Sequence, residues 1–264
     1  MPYLHLLGTG SAMSDPHRTV TMLALEDRED VYLIDCGGDA VQRMLLLGIP
    51  LEKLRGLIIT HAHPDHVAGF PLLMEKLWLA GRRAALPIYG IEPALQAAER
   101  LLGTFDTSGW EGMPDRIPHV LELRDHTPVL ESGPWRISAS PGTHSVPVLG
   151  LRVEYDDAHA PGSEDDAGEE AERHVVVYSG DTEYAESIRD LATAADILVH
   201  EATGSHANHS SALDAARVGR EAQCRRVLLV HLPPQSSLGD DVIAEARESF
   251  PNLDRGSEGG SYLF

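Results

Sequence analysis

Four residues that bind metals in many proteins, His61, His63, Asp65 and His66, lie within six positions of one another. They directly follow the apolar run 57–60, which predicts a buried strand. Imidazole and carboxylate are ligands that zinc and its borderline neighbours prefer, and a rigid turn after a strand can present several at once. Four such groups exceed what one tetrahedral ion usually takes from one segment, so the pattern predicts two metal ions. The alternative is a solvated, histidine-rich loop.

Three further residues of metal-ligand type, His144, Asp181 and His231, each come shortly after a predicted strand. Open sheets present ligands from the carboxyl ends of their strands, where distant parts of the chain can meet around one pocket. A single histidine after a strand often has only a structural role. Together with the turn at 61–66, however, these three residues predict one shared metal-binding site.

Strand-like and helix-like segments alternate along the chain. Short apolar or β-branched runs bounded by Gly, Asp and Pro predict strands at 3–8, 19–25, 31–35, 57–60, 87–90, 120–123, 135–139, 148–155, 174–179, 197–200 and 227–231. Amphipathic spacing predicts helices at 39–48, 70–79, 93–102, 183–192, 211–222 and 240–250. This mixture favours a single α/β domain spanning residues 1–264, with packed sheets and helices outside them.

Composition sets the protein class. A chain of 264 residues can bury one substantial core. The two cysteines, Cys36 and Cys224, form no CxxC pair and suit a reducing compartment. The N-terminus has no basic start or cleavage site, and no apolar run reaches membrane-spanning length. We therefore expect a soluble, cytoplasmic protein with no membrane partner.

Charge is strongly negative and unevenly distributed, with a formal net charge of -20. The densest acidic segment, 156–172, contains neither lysine nor arginine, and we expect a flexible, solvated loop at 156–173. A negative chain disfavours polyanionic partners, which bind through Lys and Arg. Only two lysines are present, and an acidic, lysine-poor composition also fits a salt-rich cytoplasm, where salt would screen these charges.

The chain resembles the metallo-β-lactamase-fold hydrolases and is most similar to their ribonuclease Z group. The stretches that carry the resemblance lie in family order at 7–12, 33–38, 60–69, 144–147, 179–182, 200–203, 208–212 and 230–231, and the third of them contains the HxHxDH motif. The resemblance implies an αββα sandwich, in which two mixed β-sheets pack together and helices cover both outer faces.

The same resemblance implies two zinc ions, with manganese or iron able to take their place. It implies one ion on His61, His63 and His144, another on Asp65, His66 and His231, and a bridging Asp181. A carboxylate can bind two ions through its two oxygens, whereas a neutral imidazole serves one. Two ions roughly 3.5–4 Å apart can generate a bridging hydroxide and stabilise an in-line phosphoryl displacement. Asp65 is also expected to orient or deprotonate that water.

The resemblance also implies roles for His209 and Glu201. His209 would contact the scissile phosphate or protonate the leaving oxygen, and Glu201 would orient it. The alternative for His209 is a place beside the helix cap, since Asn208, Ser210 and Ser211 are all good capping residues. Two other residues remain open: His200 and Asp35 each fit either an orienting partner of a metal ligand or a purely structural role.

Two departures from the ribonuclease Z pattern bear on the substrate. In those enzymes that carry a tRNA-clamping arm, the arm falls where this chain has its short acidic segment. After His231, residues 232–236 replace a family stretch that contains a phosphate-binding arginine. We therefore expect a dinuclear phosphodiesterase that cleaves a small or short phosphodiester, with a homodimer as a further possibility. Alternatives are tRNA 3′ processing without the arm and a lactonase or β-lactamase-like hydrolase. A non-enzymatic metal-binding protein would be expected to have lost ligands, yet all seven are present.

Overall fold

The computed structural model describes residues 1–159, 172–204, 206–234 and 239–264. The chain divides into two compact units, each built on one seven-stranded sheet. The N-terminal unit contains Tyr3–Leu121 and Ser257–Tyr262, and the C-terminal unit contains Met1–Pro2, Glu122–Gly256 and Leu263–Phe264. That the whole chain acts as a single domain stays a prediction.

The strands are β1 (Tyr3–Gly8), β2 (Met22–Glu26), β3 (Val31–Ile34), β4 (Leu54–Ile59), β5 (Leu86–Gly90), β6 (Arg116–Val120), β7 (Thr127–Ser132), β8 (Trp135–Pro141), β9 (Leu149–Asp156), β10 (Arg173–Tyr178), β11 (Ile197–Glu201), β12 (Arg226–Val230), β13 (Leu253–Arg255) and β14 (Ser261–Leu263). The α-helices are α1 (Ala40–Leu46), α2 (Pro64–Val67), α3 (Phe70–Leu79), α4 (Glu92–Leu102), α5 (Glu186–Leu191), α6 (Ala212–Glu221) and α7 (Asp240–Ser249). Short 3-10 helices occupy Leu51–Lys53 and Asp157–His159. None of the helices in the described ranges combines the length and apolar character needed to cross a membrane.

The sheet of the N-terminal unit has the order β14-β1-β2-β3-β4-β5-β6. β1, β2 and β3 pair antiparallel, whereas β3 through β6 are parallel. β4 is almost continuously apolar, as expected for a parallel strand covered on both faces, and Leu57, Ile58 and Ile59 are fully buried. Because β3 and β4 are parallel neighbours, the residues that follow them meet at one edge of the sheet.

The sheet of the C-terminal unit has the order β13-β12-β11-β10-β9-β8-β7. β7 through β10 pair antiparallel, and β10 through β13 are parallel. The apolar faces of α5, α6 and α7 pack with Val177, Leu198 and Leu229 in one buried cluster. Full burial of each such side chain contributes roughly 1.5–3 kcal/mol. This packing fixes the carboxyl ends of β10, β11 and β12 side by side.

Most predicted elements coincide with observed ones, but the predicted strand at 120–123 is wrong. β6 ends at Val120, and the next strand is the unpredicted β7. Both lie at the edges of their sheets, β6 is largely exposed, and each contains an interior proline. Edge strands tolerate proline and lack a clear apolar pattern, so their sequence signal is weak. Of the predicted acidic loop at 156–173, residues 160–171 lie outside the described part, whereas Asp156 ends β9 and Arg173 begins β10.

Candidate metal centre

The predicted metal-binding turn follows β4 in the N-terminal unit. His61 and His63 precede the short helix α2, which carries Asp65 and His66. His61 and His66 are fully buried, while His63 and Asp65 are half-buried. His61 Nε2 lies 3.2 Å from His63 Nδ1, and His66 Nε2 lies 3.5 Å from Asp65 Oδ2. Ligand atoms therefore converge in two pairs within this turn.

Asp35, which follows β3, holds the turn in place. Its buried carboxylate accepts hydrogen bonds from the Thr60 backbone N–H at 2.8 Å, from Thr60 Oγ1 at 2.9 Å and from His66 Nδ1 at 2.8 Å. Asp35 has a positive φ of 59°, an unfavourable conformation for a residue with a side chain, and its N–H donates to Ile58 O. Of the two interpretations left open for Asp35, these contacts favour an orienting partner of His66 over a purely structural role.

Two glycines let the backbone approach this turn closely. A Cβ on Gly37 would lie 1.7 Å from the Asp65 carbonyl oxygen, and one on Gly69 would lie 2.1 Å from the Gly38 oxygen. The Cys36 N–H also donates to His66 O at 2.9 Å. The segment after β3 therefore clamps the backbone of the ligand turn, and only glycine fits at the contact points.

The C-terminal unit brings together the other predicted site residues. Asp181 follows β10 and is 1% exposed, and its Oδ2 lies 3.1 Å from Nε2 of His231, the residue after β12. His231 has a positive φ of 51°. Thr203 Oγ1 contacts His231 Nδ1 at 2.7 Å and the His231 carbonyl oxygen at 2.9 Å. His144 lies in the loop after β8, with Nδ1 2.7 Å from Asn208 O.

Glu201 and His209 form a buried carboxylate–imidazole pair beside these residues. Glu201, at the end of β11, is fully buried and accepts hydrogen bonds from His209 Nδ1 at 2.8 Å and from the Thr182 N–H at 2.8 Å. The His209 ring centroid lies 4.9 Å from that of His144 and 5.5 Å from that of His231. Ligand-type atoms of His144, Asp181 and His209 all lie within 4.8 Å of one another.

The helix-cap interpretation of His209 can be tested directly. The N-cap of α6 is Ser211, which forms a reciprocal capping box with Asp214. Ser210 instead donates to the Thr182 carbonyl oxygen at 2.6 Å. The Asn208 carbonyl accepts from His144, as described above. His209 is therefore not needed for capping, and its contact with Glu201 orients its ring.

The donor chemistry in both units fits divalent metal ions. In His66, His144 and His231, Nδ1 contacts a side-chain or backbone oxygen, an arrangement that directs Nε2 toward a ligand position. His61 Nδ1 likewise contacts Thr60 Oγ1 at 3.0 Å. Two ligands of a tetrahedral zinc ion lie about 3.3 Å apart, given metal–nitrogen distances near 2.0–2.1 Å. The pairs His61–His63 and Asp181–His231, at 3.2 and 3.1 Å, have this spacing.

All predicted site residues fall in these two sets, four in the N-terminal unit and five in the C-terminal unit. His200, by contrast, donates from Nδ1 to the Glu201 carbonyl oxygen at 2.8 Å, and this contact favours its structural interpretation. The orienting residues Thr60, Thr203 and Asn208 were not predicted. All three lie within stretches that carry the family resemblance, but Asn208 acts through its backbone carbonyl, for which no residue type gives a signal.

Comparisons with known proteins identify relatives of this chain. A model of the Beta-lactamase superfamily domain matches residues 31–232. A Ribonuclease Z from Synechococcus sp. (strain CC9311) is 30% identical over 296 residues, covering 93% of this chain and 93% of that protein. The aligned length exceeds the 264 residues of this chain, so the relative has segments that this chain lacks.

Solved structures agree on the fold. The metallo-β-lactamase fold protein YhfI from Bacillus subtilis superimposes with a TM-score of 0.77 at 24% identity, covering 100% of both chains. The short form of human tRNase Z superimposes with a TM-score of 0.75 at 19% identity, covering 99% of this chain and 98% of that one. The predicted metallo-β-lactamase fold is thereby confirmed. The chain belongs to the beta-lactamase superfamily and, within it, to the ribonuclease Z family of metal-dependent hydrolases.

Proposed function

We propose that the chain is a dinuclear, zinc-dependent phosphodiesterase of ribonuclease Z type. One ion would be held by His61, His63 and His144, the other by Asp65, His66 and His231, and both by Asp181. The donor types and the oriented histidines described above support this assignment. Manganese or iron is the alternative metal, because both accept the same ligands.

The observation that carries the proposal is the Glu201–His209 pair beside Asp181, His231 and His144. A purely structural metal site needs its ligands fixed but has no use for an oriented imidazole next to them. An imidazole held at Nδ1 by a buried carboxylate presents Nε2 for proton transfer. The C-terminal unit therefore combines candidate metal ligands with a candidate acid–base group within a few ångströms.

Each residue then has a chemical role in phosphodiester hydrolysis. When bound, the metal ions would supply Lewis-acid activation of water and stabilise negative charge on the phosphate. His209 would hold a proton at Nε2 and donate it to the leaving oxygen, while Glu201 fixes the ring and stabilises its charged form. Asp65 would orient the attacking water and accept its proton. Asp35, Thr60 and Thr203 would keep the ligand imidazoles in their orientation.

For the substrate, we propose a small or short phosphodiester rather than a folded tRNA. The net charge of -20 opposes a large polyanion, and the aligned ribonuclease Z relative contains segments with no counterpart here. The second candidate is tRNA 3′ processing; the relatives' name, Ribonuclease Z, supports an RNA substrate. A lactonase or β-lactamase-like activity needs the same metal site. A homodimer and a cytoplasmic location stay predictions.

Metal analysis and cleavage assays on matched variants test the proposal. The purified protein should contain close to two metal ions per chain and hydrolyse bis(p-nitrophenyl) phosphate. Asp181→Ala should lose both metal and activity, whereas His209→Ala should keep the metal and lose about 10²- to 10⁴-fold in kcat. His206→Ala is the control, since His206 is an exposed histidine of the same loop. A fully active, metal-free Asp181→Ala protein would refute the proposal.

A substrate panel separates the remaining alternatives. We expect cleavage of short phosphodiesters and little cleavage of an unprocessed tRNA. A discrete cut after the acceptor stem of a tRNA precursor would instead establish tRNA processing. Hydrolysis of lactones or β-lactams with no phosphodiester cleavage would overturn the phosphodiesterase assignment.

A further inference from the structure

A groove on the N-terminal unit starts next to the metal-binding turn. One wall contains Ala62 and Pro64, the immediate neighbours of His63. The opposite wall is one face of α4, on which Ala97, Arg100 and Leu101 recur at helical spacing. The cavity has a volume of about 330 Å³. Its position places whatever it binds beside a predicted metal ligand.

The groove continues into a second cavity of about 440 Å³. The two cavities share Ala68, Leu101 and Thr104, so they form one continuous path. The far part is lined by Phe105 and Trp110, both from the segment after α4. Pockets of this combined size, largely apolar with a few polar groups, are typical of small-molecule sites.

The far end of the groove is an aromatic platform. The Trp110 ring stacks on Trp78 with centroids 5.1 Å apart and an interplanar angle of 5°. Trp78 Nε1 donates to Glu111 O at 3.0 Å, which fixes the pair. The Phe105 side chain is 57% exposed. Aromatic side chains that line a groove are surfaces on which nucleobases stack.

Charge differs between the two ends of the groove. Arg100 lies near the metal-binding turn, where its Nη1 donates to Gln96 Oε1 at 3.3 Å. Arg100 takes part in no ion pair with the described residues, on a chain whose formal net charge is -20. Glu75 lines the aromatic end. An anionic group is therefore favoured beside the turn and disfavoured at the platform.

We propose that this groove binds the nucleoside adjoining the scissile phosphate, with phosphate and sugar toward Arg100 and the base on Phe105 and Trp110. The inference rests on the proposed phosphodiesterase function and narrows its substrate to a nucleotide ester. A nucleoside phosphate has an anionic group at one end and a base at the other. The groove matches it, because apolar side chains separate Arg100 from the aromatic rings. The groove thereby selects nucleoside phosphodiesters over simple alkyl ones.

Two substrates that share a leaving group test the groove. Thymidine 5′-(p-nitrophenyl phosphate) and methyl p-nitrophenyl phosphate differ only in the nucleoside. In the metal-loaded protein, Phe105→Ala should raise KM for the thymidine ester about tenfold and leave its kcat and both constants for the methyl ester unchanged. Leu46→Ala is the control, because Leu46 is 69% exposed and lies outside the groove. Equal effects of Phe105→Ala on both esters, or no effect on either, would overturn the proposal.

Direct binding distinguishes failure of the groove from failure of the enzyme assignment. Tryptophan fluorescence titrated with adenosine 5′-monophosphate should report a Kd that rises about tenfold in both Phe105→Ala and Arg100→Gln. If neither ester is hydrolysed but this titration behaves as expected, the groove stands and the phosphodiesterase assignment fails. If both esters are hydrolysed but the nucleotide does not bind, the phosphodiesterase assignment stands and the proposed groove site fails. A dimer that dissociates in Phe105→Ala during sedimentation would show that the groove is a contact between copies, and would refute the proposal.

Discussion

We expect His200 to make the folded protein less stable in mild acid. Its side chain is fully buried in β11, and its neighbours on the same face, Leu198 and Ala202, belong to the apolar cluster under the helices. His200 Nδ1 donates to the Glu201 carbonyl oxygen, while its Nε2 has no hydrogen-bond partner among the described residues. Burial lowers the pKa of this imidazole, and the Glu201 and Asp214 carboxylates oppose the effect without cancelling it.

The sign and limit of the effect follow from this lowered pKa. In the unfolded chain a histidine titrates near pH 6.5, so below about that pH the unfolded state binds more protons at His200 than the folded state does. The free energy of unfolding therefore falls as the pH drops below about 6.5, and His200 contributes nothing above about pH 7.5. One proton bound by the unfolded state but not by the folded state changes the free energy of unfolding by about 1.4 kcal/mol per pH unit. His200 therefore lowers the free energy of unfolding by at most about 1.4 kcal/mol at pH 5.5.

Urea unfolding of His200→Gln isolates this contribution. Glutamine has a similar size and can still donate to the Glu201 carbonyl oxygen, but it does not titrate. We expect the free energy of unfolding of the wild type to fall between pH 8 and pH 5.5 by up to about 1.4 kcal/mol more than that of His200→Gln. Both proteins are measured with a chelator, so that protonation of metal ligands affects them equally. His17→Gln, which changes an exposed histidine, should behave like the wild type.

Equal losses in the wild type and His200→Gln would refute the reasoning, since they would mean that the folded state protonates His200 as readily as the unfolded state. If His200→Gln does not fold at pH 8, the wild type itself gives the answer by NMR. The midpoint of the His200 imidazole resonance should lie below the usual value near 6.5, and a midpoint at or above about 6.5 would contradict the prediction.

Two further substitutions test how the candidate site is held, and one labelling experiment tests the burial of Cys224. Asp35→Asn should lower metal affinity about 10- to 100-fold by removing the charged acceptor that orients His66, as measured by competition with a chromogenic chelator. Gly37→Ala should destabilise the fold and reduce bound metal, because its Cβ would overlap a backbone oxygen of the ligand turn, whereas Gly109→Ala meets nothing within 4 Å and should be neutral in urea unfolding. Burial raises the pKa of Cys224 to about 11, so its thiol should stay protonated and resist Ellman's reagent at pH 8 until the protein is unfolded.

The sequence was sufficient to locate the candidate ligands because their chemistry is tied to strand ends. β4, β10 and β12 are short, mostly apolar and buried runs, and each is followed within three residues by His or Asp, which are metal-ligand types. The assignment of these strands made the turn at 61–66 and the positions of Asp181 and His231 predictable. The four edge strands lack such an apolar run, which is why the strand near β6 was misplaced and β7, β13 and β14 were missed.

The orientation of the ligands could not be predicted, because it depends on backbone geometry. His144 is directed by the carbonyl oxygen of Asn208, a residue with φ of 71°. Any residue type supplies a carbonyl, so only the fold determines which one meets the imidazole. Thr60 and Thr203 could in principle have been suspected, since a hydroxyl beside a predicted ligand is a common orienting group. Their partners, however, depend on strand register, which differs by whole residues between plausible alignments.

The backbone conformations of Asp35 and His231 connect the fold to the proposed chemistry. Each is a non-glycine residue at positive φ directly after a buried parallel strand, a conformation that costs of order 1 kcal/mol or more. Such a cost persists only where surrounding contacts outweigh it, and here Asp35 has three donors on its carboxylate while His231 is held through Thr203. Both hydrogen-bond sets aim an imidazole Nε2. The strain therefore lies where it directs a ligand atom, as expected if these imidazoles are organised for metal before any ion binds.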